Sequence, residues 1–325
     1  MKTLLVTGGC GFIGSHFVKR FLTTHPDWRV VNLDKLTYSG NLANTRELEG
    51  NPRYEFVRGD VCDASCVDSV VARAAAVVHF AAETHVDRSI ENADDFLTTN
   101  ILGTRVLIEA ARTHKIERFI HISTDEVYGS VSEGAVNEEA PLFPNSPYSA
   151  SKAAADLLIR SYGVTYHYPA VIVRSSNNFG PYQYPEKVIP LFITNLIQKK
   201  KVPLYGAGAN RREWIYVEDN CAAIELIFER GEEAEIYNVS AGNEMSNLDL
   251  ARRILKAMNF QEEMIEYVTD RPGHDYRYSV DATRLRRLGF KPQWTFEEAL
   301  KKTIEWYRAH EDWWLPLKRD KFTLK

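Results

Sequence analysis

Several things are scarce in this 325-residue sequence, and each absence excludes something. There is no basic excess: 40 Lys and Arg stand against 44 Asp and Glu, a formal net charge of −4. That near-balance argues against a dedicated nucleic-acid binder, which shows a strong surplus of Lys and Arg. Long hydrophobic runs are missing too; stretches such as residues 74–78 fall far short of the ~18 apolar residues that a membrane helix needs. The opening Met1-Lys2-Thr3-Leu4-Leu5-Val6-Thr7-Gly8 runs into glycines before a signal-peptide core could form. Cysteine is limited to Cys10, Cys62, Cys66 and Cys221, with no CxxC pair. Cys62 and Cys66 lack the two further ligands at set spacing that zinc sites carry, so no metal is expected. Free thiols in a reducing cytoplasm are the plainer reading. No repeat or low-complexity tract is visible. What remains, 44% apolar and 26% charged residues, is ordinary for a globular chain of one large or two modest domains.

The first half alternates strand-like runs with segments of helical length. Residues 3–7, 29–33, 54–57, 76–80, 118–123 and 170–173 are short and rich in Val, Ile, Leu or Phe. Continuous apolar character over so few residues suits strands buried on both faces. Strands alternating with helices predict an α/β fold with a doubly wound, mostly parallel Rossmann sheet. Past Asn177, Pro181, Pro185, Pro190 and Pro203 punctuate the chain, and Gly206-Ala207-Gly208 makes a loop. A strand at 236–239 and amphipathic helices near 248–258 and 296–307 follow. This region is expected to be a smaller C-terminal lobe, with return segments to the main sheet near 211–240.

Gly8-Gly9-Cys10-Gly11-Phe12-Ile13-Gly14 lies between the first strand and the first helix. Missing Cβ atoms let backbone approach a pyrophosphate, and a helix N-terminus offers free N–H donors. The second strand ends at Asp34, 20 residues beyond Gly14, the spacing expected of the acid that accepts from the adenosine ribose. A carboxylate there repels a 2′-phosphate, which favours NAD over NADP. Asp60, ending the third strand, is a weaker candidate for the adenine side. Residues 1–176 are therefore expected to bind NAD and 177–325 mainly to bind substrate.

Tyr148 and Lys152 stand one helical turn apart, so both side chains share a face. An ammonium near a phenol stabilises the phenolate and lowers a pKa that starts near ~10. The pair opens the helix after the fifth strand, whose end carries Ser123-Thr124-Asp125-Glu126-Val127-Tyr128-Gly129. Ligands of open α/β sheets bind at such strand ends. On their own, two adjacent acids read as a charged strand-to-loop exit; a reaction needing one acid and one base could also use them, because like charges disfavour joint ionisation. Neighbours on an extended strand point to opposite faces, so both reach one ligand only if the chain turns at Thr124–Glu126.

The glycine loop, Thr124, Tyr148 and Lys152 together resemble the extended short-chain dehydrogenase/reductase family. Four stretches narrow the resemblance to its dTDP-glucose 4,6-dehydratases: Ala81-Ala82-Glu83-Thr84-His85-Val86-Asp87-Arg88-Ser89, the Ser123 to Gly129 run, Asn177-Asn178-Phe179-Gly180-Pro181-Tyr182-Gln183-Tyr184-Pro185-Glu186-Lys187, and Arg271-Pro272-Gly273-His274-Asp275-Tyr276-Arg277-Tyr278. The resemblance implies NAD-dependent loss of water from dTDP-glucose to give the 4-keto-6-deoxy sugar. It assigns Tyr148 as the base at the 4-hydroxyl, with Lys152 beside it. Thr124 becomes a donor to the 4-oxygen, Glu126 the base at C5, and Asp125 the acid at the 6-hydroxyl. Around NAD it places Gly8, Gly11, Phe12, Ile13, Gly14, Asp34, Lys35, Leu36, Thr37, Asp60, Val61, Phe80, Ala81, Ala82, Thr99 and Asn178. Around the nucleotide sugar it places Thr84, Thr124, Asn177, Lys187, Val188, Pro203, Leu204, Tyr205, Arg212, Asn247, Arg271 and His274. Two departures stand out: Ala207 where an acid is expected, and Arg211 where an apolar residue is usual. The alternatives are a sugar-nucleotide 4-epimerase, a GDP-mannose 4,6-dehydratase and a non-catalytic NAD-binding regulatory protein. The resemblance also implies a homodimer through the helices that begin near Asn100 and Tyr148.

Overall fold

Six of the short apolar runs become parallel strands, with ends shifted by no more than two residues. The computed structural model describes residues 1–319; the last six positions of the expected C-terminal lobe, 320–325, lie outside the described residues. The strands are β1 (Lys2–Thr7), β2 (Trp28–Asp34), β3 (Tyr54–Arg58), β4 (Ala76–His79), β5 (Arg118–Thr124) and β6 (Ala170–Ser175). Later in the chain come β7 (Asn177–Phe179), β8 (Val202–Tyr205), β9 (Arg211–Tyr216), β10 (Ile236–Val239), β11 (Asn243–Ser246) and β12 (Ile265–Val268).

The main sheet has the order β10-β6-β5-β4-β1-β2-β3, and every pairing in it is parallel. Chain direction through the sheet reverses between β1 and β4, and a crevice opens there at the C-terminal strand ends. Alternate residues divide the core. Leu4, Val6, Val30 and Val78 face one layer with Phe17 and Phe21, while Leu5, Val31, Val77 and Phe119 face the other with Leu107 and Ile159. Each such fully buried side chain contributes about 1.5–3 kcal/mol.

Of residues 211–240, β10 joins the main sheet at its edge and the helix Val217–Arg230 packs on the helix Phe12–Thr24. β9 does not join; it is the middle strand of a separate sheet, β11-β9-β7, and β8 pairs with β12 in a third. These short strands carry too few residues to show a period in the sequence. The helix Pro147–Tyr166 starts where its sequence says it should. Ser146 caps it, Pro147 fills the first position, and Tyr148 falls in the opening turn. The helix expected near Asn100 begins earlier, with Asp94–Phe96, and passes through a π-wound stretch, Leu97–Gly103, into Thr104–Thr113. Asn100, buried in that stretch, donates to the Glu83 carbonyl (3.0 Å) and to Ser151 Oγ (2.8 Å) and accepts from Glu83 N (2.8 Å). It thereby ties the loop after β4 to the helix bearing Tyr148 and Lys152.

Candidate active site

One cleft runs along the C-terminal ends of the strands across the β1/β4 reversal. Its first wall is the glycine turn. Gly8 has φ +72°, and a Cβ there would meet Ala81 N at 2.6 Å; a Cβ on Gly14 would meet the Gly8 carbonyl at 2.3 Å. Gly14 thus lets the helix sit directly on the turn. That helix, Phe12–Thr24, has no side-chain cap and no acid in its first turn, so its N–H groups and positive end face the cleft. Gly11, Phe12 and Ile13 complete this wall, with Phe80, Ala81 and Ala82 from the loop after β4 opposite.

Asp34 closes the far end of β2. Its Oδ2 accepts from Cys10 N (2.9 Å) and Oδ1 from Leu36 N (2.8 Å), while burial pushes its pKa up. Leu36 itself stands outside the lining: it takes a left-handed turn (φ 58°) and touches the site through its backbone. Lys35 pairs with Asp60 at 2.7 Å, and both line the cleft with Thr37, Val61 and Thr99.

At the opposite end, β5 stops at Thr124 and residues Asp125–Tyr128 form a single 3-10 turn, opened by Glu126 N donating to Thr124 Oγ1 (3.3 Å). The chain does turn here, and the turn separates the two acids by depth. Glu126 reaches the cleft wall, whereas Asp125 is 2% exposed and sits behind it. Thr124 Oγ1 donates to Asp125 Oδ1 (3.3 Å), and Asp125 Oδ2 is buried without a partner. Burial first, then the charges of Glu126 and Glu213, hold the Asp125 carboxyl well above the ordinary range. Burial also raises Glu126, against the pull of Arg271, Lys187 and Arg212.

Tyr148 lines the cleft beside Thr124 and Glu126. The direction of its shift reverses the one expected from the Tyr/Lys spacing: burial, then the Glu126 charge, push the phenol up. Lys152 Nζ donates to the Ile122 carbonyl (2.7 Å) and is itself pushed down to about 8 by burial.

Among the other residues placed around the sugar, Thr84, Asn177, Lys187 and Val188 line the cleft with Asn178. Lys187 Nζ donates to the Thr84 carbonyl (2.8 Å). Pro203, Leu204, Tyr205, Arg212, Asn247, Arg271 and His274 stand outside this lining. Leu204 is core, 2% exposed, with Pro203 and Tyr205 beside it on β8. Asn247 begins a helix, with its N–H on the Asn210 carbonyl (2.9 Å). Arg212 spends its guanidinium on the carbonyls of Arg211, Asp275 and Tyr276, stacked over the Tyr278 ring. Arg271 and Tyr205 meet at Asp87, at 3.1 and 3.3 Å, and His274 pairs with Asp270 at 2.6 Å. Of the two departures, Ala207 is exposed. Arg211 shares Glu244 with Arg277 (2.6 and 2.7 Å), which draws that carboxyl down to about 2.

Sequence reasoning missed part of the lining. Tyr38, Glu83, Tyr182, Gln183 and Glu186 also border the cleft. Four of these fall inside motifs quoted above, which was the available signal; Tyr38, a lone loop aromatic, gave none. Tyr182 adopts a left-handed φ of 65° and packs against Trp306 and Trp313, at 4.7 and 5.7 Å between ring centroids. Oxygens of Asn177, Asn178, Gln183 and Glu186 are buried along this wall with no protein partner. A polar ligand would satisfy them. Glycine cradle, bare helix end, strand-end acid and unpaired amides together fit a dinucleotide with a second polar ligand beside it.

Comparison with known proteins agrees. Residues 5–303 match the GDP-mannose 4,6 dehydratase family. A dTDP-glucose 4,6-dehydratase of Streptomyces niveus is 53% identical over 97% of this chain and 95% of its own length. The low-salt glycan biosynthesis protein Agl12 of Haloferax volcanii is 49% identical, covering 95% of this chain and 99% of its own. Among solved structures, DesIV, a dTDP-glucose 4,6-dehydratase of Streptomyces venezuelae with NAD and dTDP bound, superposes with a TM-score of 0.95 at 47% identity, over 97% of this chain and 100% of that one. By fold, cleft and sequence alike, the chain belongs to the GDP-mannose 4,6 dehydratase family, on the branch of the dTDP-glucose 4,6-dehydratases.

Proposed function

We propose that the protein converts dTDP-glucose to dTDP-4-keto-6-deoxyglucose with NAD as a cofactor that ends each turnover as it began. The observation that carries this reading is the grouping of Tyr148, Thr124 and Glu126 on one wall with a buried Asp125 directly behind. The glycine turn would hold the NAD diphosphate, Asp34 the adenosine ribose and Lys152 the nicotinamide ribose. The chemistry NAD supplies when bound is hydride removal at C4 of the sugar and hydride return at C6.

The remaining work falls to the chain. Tyr148 takes the proton of the 4-hydroxyl, and Thr124 hydrogen-bonds the same oxygen. Because burial and Glu126 hold the phenol up, its ionisation has to be drawn by nearby positive charge. Lys152, still mostly protonated at pH 7 with a pKa of about 8, is the chain's own source. Once C4 is a ketone the C5 proton is acidic, and Glu126 removes it. Asp125, whose carboxyl burial and its like-charged neighbours push towards the protonated form, supplies the proton that the departing 6-hydroxyl needs. Lys187 and Arg271 offer cations for the sugar diphosphate. On this reading residues 1–176 bind the dinucleotide and 177–325 mainly the nucleotide sugar.

Incubation of purified protein with dTDP-glucose, and separately with UDP-glucose, followed by mass spectrometry tests the reading. A product lacking one water is expected from dTDP-glucose. Inversion at C4 without loss of mass would identify a 4-epimerase and overturn it.

A homodimer is part of the proposal. Leu97 and Leu102, on the π-wound stretch, and Leu157 and Val164, on the neighbouring helix, are 46–63% exposed, an apolar face suited to a second copy. Sedimentation at twice 37.1 kDa is expected; a monomer at micromolar concentration would refute it. A cytoplasmic location suits four cysteines that are all free.

A further inference from the structure

Arg174 is buried, 3% exposed, in β6, and its guanidinium reaches three separate elements. Nε donates to Asp156 Oδ2 (2.8 Å), one turn beyond Lys152 on the helix that also carries Tyr148. Nη1 donates to the Tyr128 hydroxyl (2.8 Å), the last residue of the 3-10 turn bearing Asp125 and Glu126. The same nitrogen reaches the Glu138 carbonyl (3.3 Å). Tyr128 in turn donates to Asn238 Oδ1 (2.8 Å) on β10, and Asn238 N donates to Glu138 Oε1 (3.0 Å). In register, Arg174 lies between Ser123 of β5 and Asn238 of β10.

We propose that Arg174 is a positioning residue: through Asp156 on one side and Tyr128 on the other, it holds the Tyr148/Lys152 helix and the Asp125/Glu126 turn at one fixed spacing, so that oxidation at C4 and water loss at C5/C6 act on the same bound sugar. The inference rests on the dehydration reading above. A planar fork suits the task, because Nε and Nη1 are held at a fixed separation and angle and so fix the carboxylate and the phenol relative to each other, whereas an ammonium would have to reach both from one atom on a flexible stem. A buried Asp156 also needs its cation, since removing one partner of such a pair leaves an uncompensated charge in the interior. Asp156 further adds negative charge near Lys152, favouring the ammonium. Neither Arg174 nor Tyr128 lines the cleft, so a change at either acts through the groups it holds.

Two variants separate positioning from mere support. Tyr128→Phe removes one arm and leaves the Arg174–Asp156 pair intact; Arg174→Lys keeps the charge and loses the fork. The readout is the ratio, by mass spectrometry, of released sugar nucleotide lacking two hydrogens (oxidised only) to that lacking one water. Thermal midpoint and calorimetric affinity for dTDP are measured alongside. Small displacements of reacting groups cost up to about 10²-fold. Tyr128→Phe is therefore expected to raise the ratio about tenfold with midpoint and dTDP affinity near wild type, and Arg174→Lys at least as much. If the wild type dehydrates and Tyr128→Phe leaves the ratio unchanged, whatever its kcat, the inference alone fails. If the wild type yields no dehydrated product, the dehydration reading fails and takes the inference with it.

Discussion

Tyr148→Phe is expected to lower kcat on dTDP-glucose by about 10²–10⁴-fold, the usual worth of a positioned acid or base, with dTDP affinity nearly unchanged. The phenyl ring stays where it is, 6.3 Å from Phe96, and the backbone N of residue 148 keeps its bond to Ser89 Oγ (3.1 Å). Lys152 remains on the Ile122 carbonyl. What disappears is the atom that, on the proposed reading, accepts the 4-hydroxyl proton. Single-turnover assays that follow C4 oxidation, together with calorimetric titration of dTDP, check this. Oxidation at near-normal rate would remove Tyr148 as the base.

The two acids are expected to fail differently. Asp125→Asn replaces a carboxyl whose ionisation burial already disfavours, so folding should tolerate it, yet the amide is a far poorer proton donor. Water loss should slow by about 10²–10⁴-fold while C4 oxidation stays measurable. Glu126→Gln removes the base at C5, and deuterium from D₂O should no longer enter that carbon at an appreciable rate. It also deletes one of the charges that raise Asp125, letting that carboxyl ionise more easily. Mass spectrometry of products formed in D₂O distinguishes the variants; unimpaired exchange in Glu126→Gln would take Glu126 out of the mechanism.

How much of this could be read beforehand depended on whether a feature is local in the chain. The glycine turn, the β1–β2 spacing to Asp34 and the opening turn with Tyr148 and Lys152 are each fixed within one βαβ unit, and their placement was legible. The depth difference between Asp125 and Glu126 was not, because it follows from a 3-10 turn after β5 that has no periodic signature. Nor could the sequence give the direction of the Tyr148 shift: that depends on how deeply the phenol is buried and on the Glu126 charge beside it, both settled only by the folded cleft. The engagements of Arg212 and Arg271 with Asp275 and Asp87 span 63 and 184 positions. The two small sheets pair strands of three to six residues that mean something only once β8 and β12, or β7 and β9, have met.

The aromatic contact behind Tyr182 bears on how the protein is made. Trp306 and Trp313, which back that stretch of cleft wall, stand far downstream of the glycine turn in the sequence. Domains fold from the N-terminal side during synthesis, so a nascent chain that has made the glycine turn and the loop after β4 still lacks the aromatic backing of the wall at Tyr182. Full support of the cleft thus waits on Trp306 and Trp313, and a chain stalled before them would have its first half folded and its wall at Tyr182 unbacked.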